Sequence, residues 1–248
     1  MLDWGGTPIE ALLLDLDDTI LDTRAGLDTE LRAFSQWLAG RLGGADPVVV
    51  QAQVRASADW FWSDDERHRW GRLDMPGSRL AFLTHAIETL ERPAPDLALE
   101  ATDRYCALRD ACLAPFEGAL VALAQLRERV PALGLVTNGG AAAQRAKIER
   151  FELAPFFDVI VVEGEAGFGK PDRRVFERAL AAVAVAPARA LMAGDNYECD
   201  VLGSLSAGLH AVWIDRDRSA QTPVVPPRPH GKLASFVELA SKLGVRDA

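Results

Sequence analysis

Near the start of the chain an apolar run closes on a group of acids: Ile9-Glu10-Ala11-Leu12-Leu13-Leu14-Asp15-Leu16-Asp17-Asp18-Thr19. Asp15 and Asp17 stand two apart at the predicted carboxyl tip of a buried strand. A carboxylate is costly to desolvate unless something binds it, and strand tips of open α/β sheets are where ligands bind. A divalent metal with oxygen ligands is the simplest compensation for clustered carboxylates. Three more segments lie at or just after predicted strand ends: Thr137-Asn138-Gly139, Lys170-Pro171 and Gly194-Asp195-Asn196-Tyr197-Glu198-Cys199-Asp200. In a parallel sheet such tips converge on one edge. Acids, a hydroxyl, an amide and a lysine around Mg²⁺ are what phosphoryl transfer needs, because charge builds on the oxygens around phosphorus.

The elements that must position these residues are short apolar runs. Ala11–Leu14, Leu133–Val136, Val159–Val162, Ala190–Ala193 and Leu209–Ile214 read as strands buried on both faces, the pattern of a parallel sheet. Helical stretches separate the later ones: Gly118–Arg129, Ala141–Phe151, Arg173–Val183 after the helix-starting pair Pro171-Asp172, and Cys199–Ala207 closed by Gly208. The fold class predicted is α/β, a doubly wound parallel sheet. Between the first two strands lie more than a hundred residues, far beyond an ordinary crossover. Residues 24–113 are therefore read as an all-helical inserted domain, and residues 1–23 with 114–248 as the core. Four helices are expected in the insertion: Arg24–Leu42, Pro47–Trp62, Ser78–Leu90 (followed by Pro93) and Leu97–Leu113. Placed just after the acidic tip, the insertion is in position to exclude water and select substrates. Ser235–Leu243 reads as a terminal helix, and Thr222–Pro229 as a stiff proline-rich connection.

Composition narrows the class. A chain of 248 residues with 49% hydrophobic and 25% charged residues reads as soluble and globular. A net charge of −9 argues against a nucleic acid or an anionic membrane as partner. Cys106, Cys112 and Cys199 lack ligand spacing and leave an odd count, which fits a reducing cytoplasm better than a disulfide framework. No secretory leader or membrane-length apolar run is expected. Four tryptophans (Trp37, Trp60, Trp62 and Trp70) fall close together in the insertion, where buried packing is the simplest reading.

The ordered set of motifs resembles the haloacid dehalogenase superfamily in its phosphatase branch, with a Rossmann-like core. The motifs are Asp15-x-Asp17-x-Thr19, Thr137-Asn138, Lys170-Pro171, and Gly194-Asp195 with Asp200; the insertion resembles that family's C1-type helical cap. The resemblance implies that Asp15 attacks phosphorus and carries an aspartyl-phosphate. It implies that Asp17 protonates the leaving alcohol and then deprotonates water, and that Thr137, Asn138 and Lys170 bind the phosphoryl oxygens. Mg²⁺ would be held by Asp15, the backbone carbonyl of Asp17, and Asp195, with Asp200 acting behind them. The expected substrate is a small phosphorylated metabolite, hydrolysed in the cytoplasm by a monomer or homodimer. The stretch from Leu135 to Asp172 is similar to members that hydrolyse nucleoside monophosphates or sugar phosphates, acylneuraminate 9-phosphatases among them. A sugar phosphomutase of the β-phosphoglucomutase type is the alternative. A 2-haloacid dehalogenase is disfavoured by the acid at position 17.

Other features read more plainly. Gly164-Glu165-Ala166-Gly167-Phe168-Gly169-Lys170 has P-loop spacing, but Pro171 offers neither hydroxyl nor amide hydrogen, so that reading is rejected. Asp18 is expected to serve a turn, Cys199 to be a packed thiol and His210 a core or edge histidine. Arg67, His68, Arg69 and Arg72 read as a solvated helix face, with substrate selection as the competing role.

Overall fold

The structure is a computed structural model that describes residues 2–90, 94–216 and 227–243. Pro93 and residues 222–226 of the proline-rich connection lie outside the described residues. In chain order the first strands are β1 (Leu2–Trp4), β2 (Thr7–Ile9), β3 (Ala11–Leu14) and β4 (Leu21–Asp22). Helices α1 (Leu27–Arg41), α2 (Pro47–Trp62), α3 (Asp65–Gly71), α4 (Met75–Thr89) and α5 (Pro95–Cys112) follow. Then come β5 (Ala114–Pro115), α6 (Ala119–Arg129), β6 (Ala132–Thr137), α7 (Ala141–Arg150), β7 (Val159–Val162), α8 (Glu163–Ala166) and α9 (Arg173–Val183). The chain ends with β8 (Ala190–Gly194), a π-helical turn at Tyr197–Leu202, α10 (Gly203–Ser206), β9 (His210–Ile214), β10 (Gly231–Leu233) and α11 (Phe236–Lys242). Two compact units result, residues 1–22 with 115–248 and residues 23–114.

The first unit is built on a six-stranded sheet of order β10-β9-β8-β3-β6-β7. Every neighbouring pair in it is parallel. All four residues of β3 are fully buried, as expected of a strand covered on both faces. Leu14 registers with Leu135 on one side and Ala193 on the other. β3 therefore ends between β6 and β8, with β6 running two residues further to Thr137, and the strand order reverses around β3, which makes the crevice where α/β sheets bind ligands. Helix α9 starts where Asp172 caps it, its side chain accepting from the Arg174 amide at 2.9 Å. It buries Val175, Phe176, Ala179 and Leu180 among Ala11, Leu13, Val136 and Met192. The short elements β1, β2, β4, β5 and α8 were not expected, and two further departures bear on the sheet and the site. The predicted helix at Cys199–Ala207 begins as a π-helical turn before α10. Strand β10 was not expected, because three residues with glycine and lysine among them carry no period-2 signal.

Among the described residues the second unit holds five helices rather than four. The extra one, α3, has only seven residues, and its cue is Asp64, whose side chain caps the Arg67 amide at 2.8 Å. Phe34, Leu38, Val54, Phe61, Phe82, Leu83 and Ala101 make its core. The tryptophan cluster corrects the sequence reading: Trp60 and Trp70 are each 40% exposed. Arg67 is not a free surface cation. It stacks 4.1 Å from the Trp60 ring and donates to the Trp60 carbonyl at 2.6 Å.

Candidate active site

Asp15 occupies the first position past β3, its amide donating to the Ala193 carbonyl at 3.0 Å. That bond extends the sheet by one residue and fixes where the carboxylate projects. The Asp15 side chain is enclosed, with Lys170 Nζ 2.5 Å from Oδ1 and the Thr19 hydroxyl donating to Oδ2 at 3.3 Å. Lys170, 2% exposed, also meets Asp200 Oδ1 at 2.7 Å. Asp200 stands on the π-helical turn, where the Asn196 amide donates to its Oδ2 at 2.9 Å. Gly194 at the tip of β8 is required for this approach, since a Cβ there would collide with the Asp200 carboxylate. Asp195 follows at once, its carbonyl accepting from Trp213 Nε1 at 2.9 Å. One carboxylate oxygen from each of Asp15, Asp195 and Asp200 lies within 4.8 Å of the others.

Charge does not balance in this group of three carboxylates and one ammonium. Burial raises the Asp15 carboxyl well above its ordinary value, and Asp200 and Asp195 push it the same way; Lys170 opposes them without prevailing. Burial alone would lower Lys170, but Asp15 and Asp200 outweigh it and hold the ammonium above the ordinary lysine value. Carboxylate oxygens grouped this closely match the oxygen-ligand preference of a hard divalent cation. The three acids fit a metal ion.

The opposite wall comes from β6 and α7. Asn138 clamps the lysine segment: its Nδ2 donates to the Lys170 carbonyl at 2.7 Å, and its Oδ1 accepts from the Lys170 amide at 2.7 Å. The expectation placed this side chain on phosphoryl oxygens, whereas its amide group is engaged by the Lys170 backbone. The Gly139 amide donates to Glu163 Oε2 at 3.0 Å. Thr137 is 1% exposed, and its Oγ1 accepts from Gln144 Nε2 at 2.5 Å. The side chain of Asp17 is not part of the three-acid group. Its oxygens take Lys147 Nζ at 2.8 and 2.7 Å, and Oδ2 also takes Gln144 Nε2 at 3.0 Å. Asp18 has a left-handed backbone, φ 56°, in the turn between, its amide donating to the Leu21 carbonyl at 2.7 Å.

Gln144, Lys147 and Glu163 escaped the sequence reading. The available signal was helical spacing: Gln144 and Lys147 are three apart, hence on one face, of a helix that begins just after Thr137-Asn138. Cys199 lies 4.0 Å from Asn138 Nδ2 at the margin of the group. His210 sits at the sheet end, its Nε2 3.2 Å from the Ala188 carbonyl.

The sequence pattern of the haloacid dehalogenase-like hydrolases matches residues 9–208. The chain belongs to that family. It is 34% identical over 242 residues to a phosphoserine phosphatase of Thermus thermophilus, covering 88% of this chain and 94% of the relative. It is 30% identical over 246 residues to the N-acylneuraminate-9-phosphatase of Rattus norvegicus, covering 96% and 95%. A glyceraldehyde 3-phosphate phosphatase of Methanothermobacter thermautotrophicus is 34% identical over 212 residues, covering 84% and 87%. Among solved structures, the magnesium-bound HAD-hydrolase YfnB of Bacillus subtilis superposes with a TM-score of 0.71 at 22% identity, covering 95% of this chain and 99% of that one. The L-2-haloacid dehalogenase of Xanthobacter autotrophicus does so with 0.66 at 18% identity, covering 96% and 100%. At such identities the structures establish the shared fold and do not separate phosphatase from dehalogenase. Among the described residues no helix is long and apolar enough to cross a membrane.

Proposed function

We propose that this family member is a Mg²⁺-dependent phosphatase that hydrolyses the monoester of a small phosphorylated metabolite in two steps. The observation that carries the reading is Asp15 at the tip of the central strand, 2.5 Å from a buried lysine and grouped with two more acids. Asp15 attacks phosphorus, the P–O bond to the alcohol breaks, and Asp17 hands its proton to the leaving oxygen. Water then attacks the aspartyl-phosphate, Asp17 takes the proton, and Asp15 is released with inorganic phosphate. Lys170 neutralises charge between the nucleophile and the phosphoryl group, and the Thr137 hydroxyl faces the same group. Asp15, Asp195 and the Asp17 carbonyl would hold Mg²⁺, with Asp200 behind them tying Lys170 down. Mg²⁺ supplies electrostatic stabilisation of the charge that develops on the phosphoryl oxygens.

A hydrolase that displaces halide from carbon has no use for a second acid that donates a proton to the leaving group, and Asp17 is present. The curated relatives at 30–34% identity are named phosphatases of three different monoesters, which supports the reaction more than any one substrate. The helical unit of residues 23–114 is assigned the choice of substrate, on the ground that the chain enters it directly after Asp15–Thr19. The three cysteines are free thiols, in keeping with a cytoplasmic protein.

Phosphate release from p-nitrophenyl phosphate and from a panel of phosphorylated metabolites tests the reading. Activity is expected with Mg²⁺, lost with EDTA and abolished in Asp15→Asn while the fold persists. Full activity in Asp15→Asn would overturn the mechanism.

A further inference from the structure

Asp17 stands on a turn with its side chain about a third exposed, at 32%. A short acid there would ordinarily sample several rotamers in water. Here both of its oxygens are held. Lys147 Nζ lies 2.8 Å from Oδ1 and 2.7 Å from Oδ2, a grip on both oxygens that fixes the plane of the carboxylate. Gln144 Nε2 adds a third bond at 3.0 Å and, from the same nitrogen, reaches Thr137 Oγ1 at 2.5 Å. Gln144 is 2% exposed and Ile148 on the same helix 3%, so α7 is anchored and its donors are not loose surface groups. Two ammonium groups thus serve separate carboxylates: Lys170 holds Asp15 and Asp200, and Lys147 holds Asp17.

Resting on the phosphatase reading above, we propose that Lys147, with Gln144, is a positioning residue for Asp17. It keeps the carboxylate aimed at the place where the leaving oxygen, and later the attacking water, must sit. Lys147 keeps its own proton throughout; the proton that moves travels from Asp17 to the leaving oxygen and back from water to Asp17. Gln144 extends the same hold to the Thr137 hydroxyl, so the acid–base group and the phosphoryl cradle share one donor.

The consequence is selective. An alkoxide is a poor leaving group and needs the proton; p-nitrophenolate scarcely does. Displacing an acid–base group from its productive position costs on the order of 100-fold. Lys147→Ala is therefore expected to lower kcat about 100-fold on an alkyl monoester such as glycerol phosphate and less than about 10-fold on p-nitrophenyl phosphate, with KM nearly unchanged. Lys147→Arg should restore most of the loss. In an Asp17→Asn background, Lys147→Ala should add little, because the group it positions is already gone. Circular dichroism establishes that each variant is folded, which a partly exposed lysine permits. Equal losses on the two substrates, no rescue by arginine, or full additivity with Asp17→Asn would each overturn the inference. A wild-type protein that releases phosphate from neither substrate would instead overturn the phosphatase reading, and the inference with it.

Discussion

Replacing Lys170 with methionine keeps the length of the side chain and removes its charge. In the native site the ammonium lies 2.5 Å from Asp15 Oδ1 and 2.7 Å from Asp200 Oδ1, at 2% exposure. At these separations each pair has roughly 6 kcal/mol of Coulomb attraction at the effective dielectric of a protein site. The net effect is smaller, because desolvation offsets part of it, yet removing one member of a buried ion pair costs about 3–5 kcal/mol as the other is left uncompensated. Lys170→Met leaves Asp200 in that condition and removes the cation that opposes protonation of the already raised Asp15. Urea unfolding should show a loss of about 3–5 kcal/mol, a large share of the ~5–15 kcal/mol available to a domain, and the melting temperature should fall by about 10 °C. Adding Asp200→Asn to Lys170→Met should recover part of the loss, since one orphaned charge is then gone. Mg²⁺ should stabilise Lys170→Met more than the wild type, because it replaces some of the missing positive charge. Phosphate release should fall by at least about 100-fold. A Lys170→Met protein within 1 kcal/mol of wild type (about the worth of one ordinary hydrogen bond) would refute the electrostatic account. So would a double variant less stable than Lys170→Met alone.

Asn138→Ala removes both bonds to the Lys170 backbone; about 1–3 kcal/mol of stability and about 10- to 100-fold in kcat should go with them, and Asn138→Asp, which keeps the acceptor, should fall between the two in unfolding and turnover assays. Partial burial and the neighbouring His210 hold His230 below its ordinary value of 6.5, and its Nδ1 accepts the Ala211 amide at 3.2 Å. The unfolded chain thus binds that proton more readily, so stability should decline as pH drops from 6.5 toward the lowered folded value, and His230→Gln should flatten that slope in melts recorded across the window. In the helical unit, Phe61 is fully buried with Trp62 and Trp70 edge-on at 4.9 and 5.1 Å; Phe61→Ala should cost about 3–5 kcal/mol, read as an earlier transition in tryptophan fluorescence.

Five of the six strands of the sheet were legible because they are apolar runs, the inner ones covered on both faces. Ala11–Leu14, Val159–Val162 and Ala190–Ala193 are unbroken apolar runs, and acids or polar turns mark where they stop. The grouping of Asp15, Lys170, Asp195 and Asp200 was legible for the same reason: strand tips in a parallel sheet have nowhere else to meet. What escaped was decided by side chains on helix surfaces and by short elements. Gln144 and Lys147 look like ordinary polar positions of an alanine-rich helix until the turn after β3 brings Asp17 beneath them. Asn138 sits where the motif places it, but its amide group is engaged by the Lys170 backbone, an allocation that depends on a residue 32 positions away. Helix α3 is mostly charged and only seven residues long, too short for periodicity to declare itself. The tryptophan cluster misled because aromatic clustering signals packing without saying how much of each ring stays in water.

The contact between Asp15 and Lys170 spans 155 positions of sequence. During synthesis Asp15 leaves the ribosome first and its counter-charge follows long after, with the whole helical unit made in between. Asp195 and Asp200 come later still. A nascent chain that has completed only β3 and the helical unit therefore carries an unpaired carboxylate at a strand edge with no neighbour on either side. Non-local pairing of this kind slows folding, and a translation product cut short before residue 170 should be inert toward both cation and ester, however well its helices have formed.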